Sequence, residues 1–346
     1  MKVFHSPAQA GHAPTRYAMG QDVMPAREVP ARVDELLALL QGSGHAVLSP
    51  RDLGITPLTR LHSEDYLEFL RTAHARWQEK FASSPRSDWV VPLAFQNRYM
   101  GARPDSVVGQ AGHYLSSTTS PIGAGTWSAI LGAAHCALEA AQTLLEGERL
   151  AYALCRPPGH HAYRDIGAGF CYVNNAALAA DHLARTLGRV AVLDIDVHHG
   201  NGTQGLFYER ADVLFVSVHA DPDHGYPFYA GRSDETGTGA GAGYNLNLHL
   251  PPGTRDAGWL PAIDRGLQRI REFAPAALVV SLGFDAHERD PSALLSVSTE
   301  GFRGAGQAIG AALAGSHLPC VLIQEGGYAI DCLGANLSAF LNGLRG

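Results

Sequence analysis

No apolar run in this 346-residue chain reaches the ~20 residues needed to cross a bilayer. The N-terminal stretch Met1-Lys2-Val3-Phe4-His5-Ser6-Pro7 also lacks the apolar core of a signal peptide. Both absences lead to the expectation of a soluble, cytoplasmic protein without a membrane partner. Cysteine is sparse: Cys136, Cys155, Cys171, Cys320 and Cys332, with no two in a C-x-x-C pair. That argues against a disulfide framework and against a zinc site built from thiolates. No basic run occurs and the formal net charge is −7, so bare nucleic acid is not an expected partner. Only 17% of residues are charged against 46% hydrophobic, a balance that argues against disorder over most of the length. Glycine (39) and proline (20) are plentiful, which points to many loops, where functional residues often sit.

Short β-rich apolar runs alternate with amphipathic stretches. Residues 2–5, 45–48, 150–155, 189–196, 213–219, 244–250, 276–283 and 318–324 read as strands. The central ones are nearly continuous apolar runs, as in Ala277-Leu278-Val279-Val280, which suits parallel strands buried on both faces. Helices are expected at 63–80, 126–146, 175–187, 255–273, 299–314 and 331–344. Ser63 and Thr126 stand where caps belong. The alternation predicts an α/β fold: an open, mostly parallel eight-stranded sheet flanked by helices. With no repeat and no linker, residues 1–346 read as one domain. Residues 82–125 mix Ser, Pro, Gly and aromatics without a period, as functional or interaction segments often do. The glycine-rich Gly237–Gly243 run imitates a phosphate loop, but an alternating strand pattern follows it rather than a helix, so it reads as a plain loop.

The strongest local signal is Asp194-Ile195-Asp196-Val197-His198-His199-Gly200-Asn201-Gly202, directly after the apolar run 190–193. Alternate residues share a face, so Asp194, Asp196 and His198 line up as the strand ends. Two carboxylates and an imidazole on one face are costly without a cation, and a divalent metal resolves that cost. Asp285 follows the run 278–284, His160 and His161 follow 153–159, and Tyr328 follows 321–327. In open parallel sheets that edge hosts active sites.

These residues resemble the histone deacetylase superfamily, and within it the bacterial acetylpolyamine amidohydrolase and histone deacetylase-like amidohydrolase branch. The resemblance rests on Arg156-Pro157-Pro158-Gly159-His160-His161, Gly169-Phe170-Cys171-Tyr172-Val173-Asn174-Asn175, the Asp194–Gln204 segment, Ser281-Leu282-Gly283-Phe284-Asp285 and Glu325-Gly326-Gly327-Tyr328, in the family's order. It implies a three-layer αβα fold and a zinc-dependent hydrolase of acylated amines, such as acylated polyamines or acyl-lysine. Asp196, His198 and Asp285 would be the zinc ligands. His161 would be the main general base and acid, with His160 its electrostatic partner. Tyr328 would donate to the oxyanion. Asp194 would orient His160, and Asn201, where some members have Asp, would orient His161. Potassium would bind near Asp194, Asp196, His198 and Ser217. Gly169, Phe170 and Tyr226 would line the substrate tunnel. Residues 82–125 would narrow the mouth and build a homodimer.

The polyamine-specific branch carries acidic residues at its mouth, and Arg16 and Val108 stand in those places here. Glu28, Asp105, Asp221 and Asp223 are candidate substitutes, so the amine stays open. Two other functions compete. A binuclear manganese hydrolase of the arginase type needs more Asp and His at the rim, whereas Asp285 is followed by Ala286-His287. A non-catalytic acyl-amine binding module should have lost Tyr328 or the His pair.

Overall fold

The computed structural model describes residues 1–19, 22–83, 88–292 and 294–346. Residues 84–87 of the irregular segment lie outside the described residues. The strands among the described residues are β1 (Lys2–Phe4), β2 (Arg16–Met19), β3 (Asp22–Pro25), β4 (Ala46–Leu48), β5 (Leu150–Ala153), β6 (Val190–Asp194), β7 (Val213–Ala220), β8 (Asn245–Leu250), β9 (Ala277–Leu282) and β10 (Cys320–Gln324). The helices are α1 (Ala31–Gly42), α2 (Glu64–Lys80), α3 (Val107–Tyr114), α4 (Thr126–Leu145), α5 (Asn175–Leu187), α6 (Asn201–Phe207), α7 (Asp256–Phe273), α8 (Thr299–Ser316) and α9 (Ile330–Arg345).

Eight strands pair in the order β4-β1-β5-β10-β9-β6-β7-β8, and every pairing in that sheet is parallel. These are the eight strands read from the sequence, each within two residues of its expected ends. The strands are apolar throughout because both faces are covered. Val190 and Val192 face one core with Ala151, Val279 and Val321, beneath α2, α3, α4 and α5. Ala191 and Leu193 face the other core with Tyr152, Val280 and Leu322, beneath α1, α7, α8 and α9. No helix among the described residues is long and apolar enough to cross a membrane.

Ser63 caps α2 as expected, accepting the Tyr66 N–H at 3.4 Å. Thr126 does not cap α4. It is the first helical residue after Gly125, and its hydroxyl accepts the Gly123 N–H. Four elements were not anticipated: α1, α3, α6 and the antiparallel hairpin β2–β3. The helix α3 gives regular structure to part of the 82–125 segment. The helix α6 forms from Asn-Gly-Thr-Gln-Gly, poor helix formers, because tertiary packing overrides propensity: a Cβ on Gly202 would meet the Ala162 carbonyl at 2.3 Å. The glycine-rich run makes one 3-10 turn, Gly239–Gly241, and continues into β8.

Candidate active site

Strands β5, β10, β9 and β6 are consecutive in the sheet. The segments leaving their C-terminal ends therefore share one rim, and they carry His160 and His161, Tyr328, Asp285, and Asp196 with His198.

Asp196, His198 and Asp285 each offer a ligand atom, all within 4.8 Å of one another. His198 Nδ1 lies 3.1 Å from Asp196 Oδ1 and 3.1 Å from Asp285 Oδ2. Backbone amides hold the outer lone pairs. Asp196 Oδ2 accepts the Gly326 N–H at 2.8 Å, and Asp285 Oδ1 accepts the Val197 N–H at 2.9 Å. Position 326 must be glycine: a Cβ there would fall 2.3 Å from Asp285 Oδ2 and 2.6 Å from Asp196 Oδ2. Both carboxylates are fully buried. Burial, and then the charge of Asp196, push the Asp285 carboxyl up to about 7. Burial works against a charged His198, but its hydrogen bonds to Asp196 and Asp285 outweigh that and raise it to about 10. Without a metal, a protonated His198 offsets the buried negative charge, and a divalent cation held by the same atoms would take that proton's place. Two carboxylate oxygens and an imidazole nitrogen fit a divalent cation such as zinc, with coordination positions left over for water and substrate.

His160 and His161 lie beside this trio with ring centroids 4.0 Å apart. Their partners differ. His160 Nδ1 meets Asp194 Oδ2 at 3.0 Å, and His161 Nδ1 meets Asn201 Oδ1 at 2.6 Å. Burial opposes a charged His160, but Asp196 and Asp194 together raise it to about 10. His161 moves the other way. Burial first, then the neighbouring His160 and His198, hold it well below its usual 6.5. An amide oxygen can only accept. Because Asn201 turns its oxygen to Nδ1 and its Nδ2 to the Tyr163 hydroxyl at 3.1 Å, His161 carries its proton on Nδ1. Its Nε2 lone pair is then free.

Tyr328 is held from three sides. Its backbone N–H and that of Ala329 donate to Asp290 Oδ2, at 2.6 and 3.0 Å. The Arg32 guanidinium sits 4.8 Å from its ring centre and donates to the carbonyls of Gly327 and Glu325, at 2.5 and 2.6 Å. Phe170 meets it edge-on at 5.3 Å. Burial keeps the phenol well above 10, so it stays a donor.

A cavity of about 520 Å³ leads to these groups and is lined by His161, His198, Tyr328, Gly169, Phe170 and Tyr226 among others. Gly169 has φ +55°, and a Cβ there would lie 2.4 Å from His161 Cδ2, so only glycine fits against the histidine. Ser217 stands in register beside Asp194, with its hydroxyl 2.8 Å from His219 Nδ1.

The structure therefore gathers all the residues singled out for the metal, the proton transfers, the oxyanion and the tunnel. It does not gather the residues considered for the mouth. None of Arg16, Glu28, Asp105, Val108, Asp221 and Asp223 lines the cavity. Val108 packs on the core instead. Glu28 is buried between Arg156 at 2.8 Å and Arg32 at 3.0 Å, where two guanidinium groups need its charge. Asp223 pairs with Arg232 at 2.5 Å. Sequence reasoning missed Arg27, which lines the cavity, and also Arg32 and Asp290. The last two act through backbone groups, and no residue spacing signals that.

The histone deacetylase domain matches residues 26–344. The chain is 44% identical over 346 residues to an acetylpolyamine amidohydrolase of Burkholderia pseudomallei, covering 99% of each. It is 40% identical over 331 residues to acetylpolyamine amidohydrolase 2 of Pseudomonas aeruginosa, covering 95% of this chain and 94% of the other. The crystal structure of an acetylpolyamine aminohydrolase from Burkholderia pseudomallei superimposes with a TM-score of 0.94 at 42% identity, covering 99% and 98% of the two chains.

Proposed function

Because the chain belongs to the histone deacetylase family, we propose that it is a zinc-dependent amide hydrolase that removes acetyl or other acyl groups from an amine. The observation that carries this reading is the Asp196–His198–Asp285 trio, its carboxylates buried and its imidazole lining a cavity, beside a histidine with a free Nε2. Zinc bound there would polarise the acyl carbonyl and acidify a water molecule.

The chain's own residues supply the remainder. His161 Nε2 takes the proton from the attacking water and later delivers one to the leaving amine. His160, held charged by Asp194 and Asp196, stabilises the negative charge that develops beside it. The Tyr328 hydroxyl donates to the oxyanion. Phe170 and Tyr226 wall the acyl-bearing chain and exclude water. Potassium near Asp194, Asp196, His198 and Ser217 would offset the buried carboxylates. The direct test is turnover of acetylated polyamines, acyl-lysine peptides and longer acyl amides by zinc-loaded protein. Hydrolysis of none would favour a binding module, and two manganese ions per chain would favour the arginase-type reading.

Asn201 gives a sharper test. A neutral amide beside His161 leaves burial and the like charges free to hold its pKa down. A base with a lowered pKa stays neutral to lower pH, so the acid limb of kcat/KM should fall below 6.5. In Asn201→Asp a carboxylate would stabilise the imidazolium and raise that limb by about 1–3 pH units. An unmoved limb would remove His161 from the role of base.

The 82–125 segment exposes Leu93, Phe95, Tyr99 and Met100, with Tyr99 82% exposed. Grouped apolar exposure of this kind marks an interaction site, and we assign it to a second copy of the chain. Light scattering at micromolar protein should report a dimer, and Leu93→Glu with Tyr99→Glu should shift it to monomer. A monomeric parent protein would end this assignment.

A further inference from the structure

The substrate cavity is lined by a positive charge that no carboxylate among the described residues answers. Arg27 lines it just after the hairpin β2–β3. The Ala26 N–H closes the hairpin base on the Thr15 carbonyl at 3.0 Å, and the Arg27 N–H donates to the Tyr17 hydroxyl at 3.2 Å. These bonds hold the Arg27 backbone beside Tyr17 and Ala18, which line the same cavity. Its guanidinium has no ion-pair partner among the described residues. The nearest acid in sequence, Glu28, is committed to Arg156 and Arg32. No Asp or Glu lines the cavity among the described residues. Apart from His161 and His198 of the candidate active site, its other walls are aromatic, aliphatic or hydroxyl-bearing. Among its hydroxyls, Ser117 pairs with Thr119 at 2.6 Å and Thr118 donates to the Ala18 carbonyl, and none of them carries a charge to answer Arg27.

An ammonium end entering such a cavity meets a like charge and no acceptor of opposite sign. A carboxylate end meets a planar donor suited to bidentate binding. Resting on the amide-hydrolase reading, we infer that Arg27 reads the far end of the substrate and selects acylated amines that carry a carboxylate, such as N-acylated amino acids, over acylated polyamines. The discrimination is by repulsion as much as by attraction.

Three amides of one chain length test this at low salt: 6-acetamidohexanoate, N-pentylacetamide and N-acetyl-1,5-diaminopentane. Each kcat/KM is divided by that of the neutral amide for the same protein, so a general loss of activity in a variant cancels. The parent protein should favour the carboxylate over the ammonium by about tenfold or more, the scale of a charge-assisted hydrogen bond. The ratio should shrink as salt is raised. In Arg27→Glu the order should invert. A parent protein that prefers the ammonium, or a ratio that Arg27→Glu leaves in place, overturns the inference while the hydrolase reading stands. Hydrolysis of none of the three overturns the inference, and the hydrolase reading falls with it only if acyl-lysine peptides and longer acyl amides also survive.

Discussion

Asp285→Asn should leave a folded protein that binds no stoichiometric zinc and has lost roughly 10³–10⁵ in kcat/KM. That factor converts the several kcal/mol a bound cation contributes to charge stabilisation. Asparagine is chosen over alanine because Asp285 Oδ1 also accepts the buried Val197 N–H. Alanine would orphan that donor at a cost of about 1–3 kcal/mol and confuse loss of fold with loss of metal. Asparagine keeps an acceptor and removes a charge from a site where burial and Asp196 already disfavour it. The variant should therefore keep its thermal transition. Metal content by atomic emission and turnover should fall together, and zinc should restore chelator-stripped parent protein but not the variant. Full activity with one zinc per chain in Asp285→Asn would place the cation elsewhere.

Much of this site was legible in the sequence because its chemistry is written at strand ends. A buried parallel strand is an unbroken apolar run, and an acid or imidazole directly after one has few inexpensive explanations. Asp196, His198 and Asp285 carry that signal. The sheet order that brings their strands together follows from the same pattern only in part: a parallel sheet puts the ends on one rim, but the adjacency of β5, β10, β9 and β6 is a tertiary fact. The helix α6 was illegible because its glycines argue against a helix, and only the close approach of Ala162 explains them. Arg32 and Asp290 were illegible because they grip backbone groups of the Tyr328 turn, and a side chain that binds a backbone leaves no mark on the partner's identity. Glu28 was a candidate for the mouth because a charge read from sequence is assigned to solvent by default. Here two buried arginines draw it inward.

Tyr328→Phe should lower kcat by ~10²–10³ with little change in KM, the usual consequence of losing one oxyanion donor. The geometry makes this substitution clean. Arg32 lies over the ring rather than on the hydroxyl, and Phe170 meets the ring edge, so phenylalanine keeps both contacts. Asp290 grips the backbone of residues 328 and 329, which the change does not touch. Substrate binding and zinc content should therefore persist while the transition state loses its donor, a loss confined to kcat. The pH dependence adds a second check. Burial holds the phenol well above 10, so it is protonated across the working range and contributes no limb of its own. The variant's profile should keep the parent's shape, displaced downward as a whole. Activity within threefold of the parent, or a changed acid limb, would remove the tyrosine from oxyanion stabilisation and return that task to the metal site and His160.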